Sequence, residues 1–98
     1  MYANITRVKV KDFNNVKSAA VRKKTPDVTS IPGFVAYYVI PGKKSFTTVA
    51  IFKDSSGSDA WQNMCRQEFR DLKEHFEGPD AVEVVAGHVL YSRTTAKR

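Results

Sequence analysis

The chain has 98 residues, 42% hydrophobic and 27% charged, with sixteen Lys and Arg against ten Asp and Glu. That is the length of one domain and an ordinary globular composition, which excludes a disordered tail, a collagen or a repeat array. No apolar run approaches the ~20 residues that cross a bilayer, Met1 to Arg7 lack the apolar core of a secretory signal, and the one cysteine, Cys65, has no internal disulfide partner, so a reducing, cytoplasmic setting away from membranes is expected.

The first predicted element is a strand from Tyr2 to Lys11. Asn4, Thr6, Val8 and Val10 fall on one face and Ile5, Arg7 and Lys9 on the other, a period of two. Asp12-Phe13-Asn14 breaks the alternation and offers an N-cap. A short amphipathic helix with Val16, Ala19 and Ala20 then runs to about Lys24, and Thr25-Pro26-Asp27 ends it. Ile31-Pro32-Gly33 turns the chain into an aromatic and β-branched strand, Phe34 to Ile40. Pro41-Gly42-Lys43-Lys44 joins it tightly to a third strand, Phe46 to Phe52, so the two form a hairpin. In the Asp54 to Asp59 loop, Ser58 is the favoured cap. The longest helix follows, from Asp59 to about Phe76. Trp61, Cys65, Phe69, Leu72 and Phe76 make a narrow apolar stripe along it. Gly78-Pro79 stops this helix, Ala81 to Tyr91 is a fourth strand, and residues 92–98 are a loose basic tail.

The order β-α-β-β-α-β defines an α+β, ferredoxin-like plan: a four-stranded antiparallel sheet with two helices on one face, a single domain over residues 1–91. The other sheet face should then be polar, yet it is not. Phe34, Ala36, Tyr38 and Ile40 oppose Val35, Tyr37 and Val39. Phe46, Ala50 and Phe52 oppose Val49 and Ile51. Val85, Val89 and Tyr91 oppose Val82, Val84, Ala86 and Leu90. Three strands apolar on both faces exceed what a monomer exposes to water. A second copy packing sheet on sheet, a homodimer, is expected to cover the surplus.

The charge is uneven. Residues 1–53 carry ten basic and two acidic residues, whereas residues 54–98 carry six basic and eight acidic. Arg22-Lys23-Lys24 oppose the negative end of the first helix dipole, a sufficient structural reason for them. The strand order is shared with RNA-recognition domains, whose third strand requires two glycines and stacking aromatics. Lys44 to Ile51 has neither glycine, and Thr48 and Ile51 stand where the aromatics would. A nucleic-acid partner is therefore not expected.

Ile31-Pro32-Gly33-Phe34 leading into Tyr37-Tyr38, the Thr47-Val49-Ile51-Phe52 strand and the long helix with Trp61 and Phe69 resemble the antibiotic biosynthesis monooxygenase domain family, within the dimeric α/β barrel superfamily. The likeness runs over residues 2–91. It implies a dimeric barrel with a pocket between sheet and helices in each subunit. Its members include cofactor-independent oxygenases of polycyclic aromatic quinols and haem-degrading enzymes. The haem-degrading branch uses an Asn on the first strand, a Trp on the second helix and a His ten residues later. Asn4 and Trp61 match, but the tenth residue after Trp61 is Asp71, so the resemblance supplies no axial haem ligand. Where many such domains place a His before the second-helix Phe, this chain has Glu68.

The expected chemistry follows. Asn4, an amide on a face otherwise Val and Thr, either hydrogen-bonds a substrate oxygen or is an end-of-strand polar residue. Trp61 either stacks on a flat ligand or packs in the core. Met64, Glu68, Asp71 and His75 form a lane beside the apolar stripe. Asp71 and His75, four residues apart, make either a carboxylate–imidazole base or a solvated helix flank. His88 faces the pocket or is structural, and Tyr37 can bring a phenol to the pocket. Cys65 reads as a small buried hydrophobe. No spacing suggests a metal site or a nucleotide fingerprint, so neither metal nor cofactor is expected. Two functions remain open. One is oxygenation of a small flat aromatic or quinol, with Asn4, Trp61, Asp71 and His75 as catalytic candidates and Tyr37, Met64, Glu68 and His88 as substrate contacts. The other is non-catalytic binding of a small apolar or aromatic molecule.

Overall fold

The computed structural model describes residues 1–23, 27–78 and 80–90, with residues 19–23 as backbone alone. The elements are β1 (Tyr2–Lys9), α1 (Phe13–Lys23), a 3-10 turn (Val28–Ser30), β2 (Phe34–Pro41), β3 (Ser45–Phe52), α2 (Ser55–Asp71), a second 3-10 turn (Lys73–His75) and β4 (Val82–His88). The four strands form one antiparallel sheet in the order β2-β3-β1-β4. This is the ferredoxin-like α+β fold that the element order predicts.

Register decides which side chains meet the helices. Thr6 pairs with Thr48 and with Val84, and Val8 with Phe46 and Val82. Asn4, Thr6, Val8, Phe46, Thr48, Ala50 and Phe52 are all buried on the helix side. On β2 the alternation contains a slip. A bulge between Phe34 and Ala36 returns Phe34 to the helix side, where its ring meets Phe52 edge-on at 6.3 Å. The simple alternation places Phe34 with Tyr38 instead; the extra residue of the bulge reverses its face.

The second helix differs from expectation at both ends. Its cap is Asp54, whose carboxylate accepts the Ser56 N–H at 3.0 Å, while Ser58 lies buried within the helix. The helix stops at Asp71. The Lys11 N–H bonds the His75 carbonyl at 2.9 Å, and the Glu77 N–H bonds the Lys9 carbonyl at 3.0 Å. Continuation of β1 thus captures the main chain after Leu72, and Phe76 leaves the helix to bridge Val10. Tyr91, the Thr25-Pro26 turn, Pro79, the Arg22-Lys23-Lys24 side chains and residues 92–98 lie outside what the structure describes.

The core is two clusters. Val8, Val10, Val16, Phe46, Leu72, Phe76 and Ala81 form one. Val28, Ile31, Ala50, Phe52, Trp61 and Cys65 form the other, and Phe69 packs against both. Between them a polar band crosses the sheet: Asn4 and Thr6 on β1, Thr48 on β3. The outer sheet face keeps its apolar residues in the open, with Ile5 38%, Tyr38 59%, Ile40 57% and Val85 69% exposed.

Candidate functional site

A cavity of about 300 Å³ lies between the sheet and both helices, at the lower end of small-molecule sites. It sits where the two core clusters fail to merge. Val16, Phe46 and Leu72 of the first and Val28, Trp61 and Cys65 of the second line it, with Tyr37 and Val39 from β2 and Thr48 from β3. From α2, Met64, Glu68 and Phe69 complete the wall, and Phe13 and Lys17 enter from α1.

Trp61 is anchored by an edge-on contact with Tyr37, ring centres 5.3 Å apart. Its Nε1–H, the Thr48 hydroxyl and Glu68 Oε1 are buried and have no hydrogen-bond partner among the described residues. Such groups cost stability, because each gave up water and received nothing in return. All three belong to residues that line the cavity. Burial pushes the Tyr37 phenol up to about 12, with the nearby Cys65 adding to it. Burial likewise pushes the Cys65 thiol up to about 12, reinforced by the Glu68 charge. At neutral pH both are therefore neutral, and Cys65 is no thiolate nucleophile.

The eight site residues expected from sequence divide into two groups. Tyr37, Trp61, Met64 and Glu68 converge on the cavity. Asn4, Asp71, His75 and His88 are not among its lining residues. Asn4 is 1% exposed and fully engaged. It donates to Ser58 Oγ at 3.2 Å and Gln62 Oε1 at 2.9 Å, and it accepts from Thr6 Oγ1 at 3.0 Å. It ties β1 to α2. The carboxylate–imidazole pair expected of Asp71 and His75 requires an unbroken helix, and the helix ends between them. His75 instead has its Nε2 3.7 Å from Glu74 Oε1. His88 is at the far end of β4, its ring edge-on to Tyr2 at 5.0 Å. In the sequence Thr48 is notable only as standing in place of a stacking aromatic, not as a site residue, though a hydroxyl between Phe46 and Ala50 on one strand face was the available signal. Cys65 borders the cavity besides packing in the core. No group of three or more His, Cys, Asp or Glu able to hold a metal occurs among the described residues.

No protein-family model matches the sequence, and no curated protein matches it. Solved structures do match. An antibiotic biosynthesis monooxygenase superposes with a TM-score of 0.68 at 14% identity, covering 93% of this chain and 100% of that one. SnoaB from Streptomyces nogalater, a cofactor-independent oxygenase, gives 0.63 at 13% identity over 93% of this chain and 94% of its own. A dimeric ferredoxin-like protein from an uncultured marine organism gives 0.68 at 12% identity over 96% and 98%. The fold is that of the antibiotic biosynthesis monooxygenases. At such identities the likeness is one of backbone architecture, and this chain's own residues must carry the chemistry. No helix among the described residues is long and apolar enough to cross a membrane.

Proposed function

We propose that the chain is a small monooxygenase that binds a flat, oxygen-bearing aromatic molecule in the cavity and oxygenates it with dioxygen and no cofactor. The observation that carries this reading is that three residues lining the cavity, Trp61, Thr48 and Glu68, each hold a buried polar atom with no partner among the described residues, those of Trp61 and Thr48 being able to donate. A planar ring packs against the indole and the Tyr37 phenol, and a ring oxygen gives the N–H its acceptor after a small tilt of the side chain. The likeness to SnoaB supports the reaction class. In that chemistry a methylene flanked by aromatic rings loses a proton, and the charge spreads onto a ring oxygen. The carbanion gives an electron to dioxygen, the two radicals join as a peroxide anion, and this takes back the proton released in the first step to become a hydroperoxide. Loss of water leaves a carbonyl, with one oxygen atom in the product and one in the water. A donor fixed beside the ring oxygen stabilises the charge as it forms, and the apolar walls exclude water.

A second copy of the chain covers the outer sheet face in this reading. Ile5, Tyr38, Ile40 and Val85 stand open there, and burying them against a second copy removes apolar surface from water. Sedimentation should give twice the 11.0 kDa chain mass.

A non-catalytic binder is the second reading. It is favoured by Asn4 being engaged elsewhere and by the absence of Asp71 and His75 from the cavity lining. A hydroxylated anthrone decides between them. Oxygen uptake with anthraquinone formation, lost in Trp61→Leu, supports the oxygenase. Binding without uptake leaves the binder.

A further inference from the structure

We infer that Glu68 is the specificity residue of this site, selecting ring systems that carry a hydroxyl group. The inference rests on the aromatic-binding reading above and adds the polar substituent to it. Glu68 lines the cavity and is half-buried. Its Oε1 is buried and has no donor among the described residues. No cation there pairs with it, although Lys17 borders the same cavity.

The neighbours explain why the oxygen is stranded. Its neighbours along α2, Met64, Cys65, Phe69 and Leu72, line the same cavity; three of them bring no polar hydrogen, and Cys65 can offer only a weak S–H donor. A carboxylate so placed gains from any O–H or N–H that enters. A small change in its side-chain torsions brings the carboxylate to the cavity without moving the helix.

Position along α2 sets the substrate's polarity. Trp61 and Glu68 are seven residues apart, two turns, so they share a helix face about 10 Å apart along the axis. Trp61 supplies a donor and Glu68 an acceptor. A ring system lying along the helix therefore meets a donor near one end and an acceptor near the other. It needs an acceptor oxygen at the Trp61 end and a hydroxyl at the Glu68 end. A fully methylated or carbonyl-only ring leaves Glu68 stranded; a hydroxylated one satisfies it.

The test uses equilibrium dialysis with 1-naphthol and 1-methoxynaphthalene, which differ in the hydroxyl proton. The wild type should hold 1-naphthol about tenfold or more tightly than the ether, since the bond is made to a charged acceptor. In Glu68→Leu the two should bind within about twofold of each other. Glu68→Gln, close in shape, guards against loss of fold and should reduce the preference to about threefold. Equal binding of both probes by the wild type, or a preference that survives in Glu68→Leu, would overturn the role of Glu68 while leaving the aromatic cavity standing. If the wild type takes up neither probe, the cavity reading itself falls and this inference with it.

Discussion

Replacing Asn4 by Ala separates a structural tie from a reacting group. The wild-type side chain satisfies Thr6, Ser58 and Gln62 at once. Thr6 and Ser58 are 0% and 2% exposed, so neither hydroxyl finds water when the amide is removed. Gln62 is half-buried and can turn outward. Each orphaned buried group costs ~1–3 kcal/mol, so two of them predict a loss of about 2–6 kcal/mol, a large share of the ~5–15 kcal/mol that holds a domain together. Urea unfolding should show the midpoint falling with an unchanged m-value. At low temperature, where the variant stays folded, binding of 1-naphthol should match the wild type, because Asn4 is not part of the cavity lining. A stability loss under ~1 kcal/mol accompanied by lost binding or turnover would refute this reasoning and return Asn4 to the site.

Three further outcomes are expected. Gly57→Ala places a Cβ 2.7 Å from Phe52 Cδ1 and 2.8 Å from its Cγ, forcing α2 off the sheet. Thermal unfolding should register a loss of about 1–3 kcal/mol, whereas Gly87→Ala, whose Cβ meets nothing within 4 Å, should cost little. Removing the Asp54 carboxylate with Asp54→Ala strips the N-cap of α2 and should lower the melting temperature; an unchanged melting temperature would contradict that assignment. Alkaline pH should destabilise the fold through Tyr37 and Cys65. Both hold their protons up to about 12 when folded, against ordinary values of 10.0 and 9.0. The unfolded chain releases those protons first, so this stability is present below about 9 and is lost as pH rises toward 12. A urea midpoint as high at pH 10.5 as at pH 8 would contradict the burial of both groups.

Much of the architecture was written in local pattern. Alternation in Tyr2 to Val10 and the Pro41-Gly42 turn specified strands, a hairpin and the helix-facing set, because a strand's period allows only two choices of face. The same alternation misplaced Phe34, since a bulge adds one residue and no local residue type announced it. The end of α2 was illegible for another reason. Leu72 and Phe76 keep helical spacing, but backbone bonds from Lys11 and to Lys9 claim the segment first, a tertiary preference overriding a local one. Of the stripe and lane positions, Trp61, Met64 and Glu68 line the cavity, because residues three, four and seven apart share a helix face. Asp71 and His75 do not line it, and the helix ends between them. The cavity itself was beyond local pattern: it is a gap between two clusters, and Thr48 becomes significant only once β3 is seen to run from one cluster to the other.

The indole N–H of Trp61 gives the most direct test of the aromatic-binding site. Trp61 is the chain's one tryptophan, so a nitrogen–proton correlation spectrum of the labelled protein contains a single indole signal. Titration with 1-tetralone, a fused-ring ketone whose oxygen can only accept, should move that signal downfield and saturably, as the buried donor gains the acceptor it lacks. An indole signal that stays fixed while the probe binds would mean that the ligand sits elsewhere, and the assignment of this cavity would be wrong.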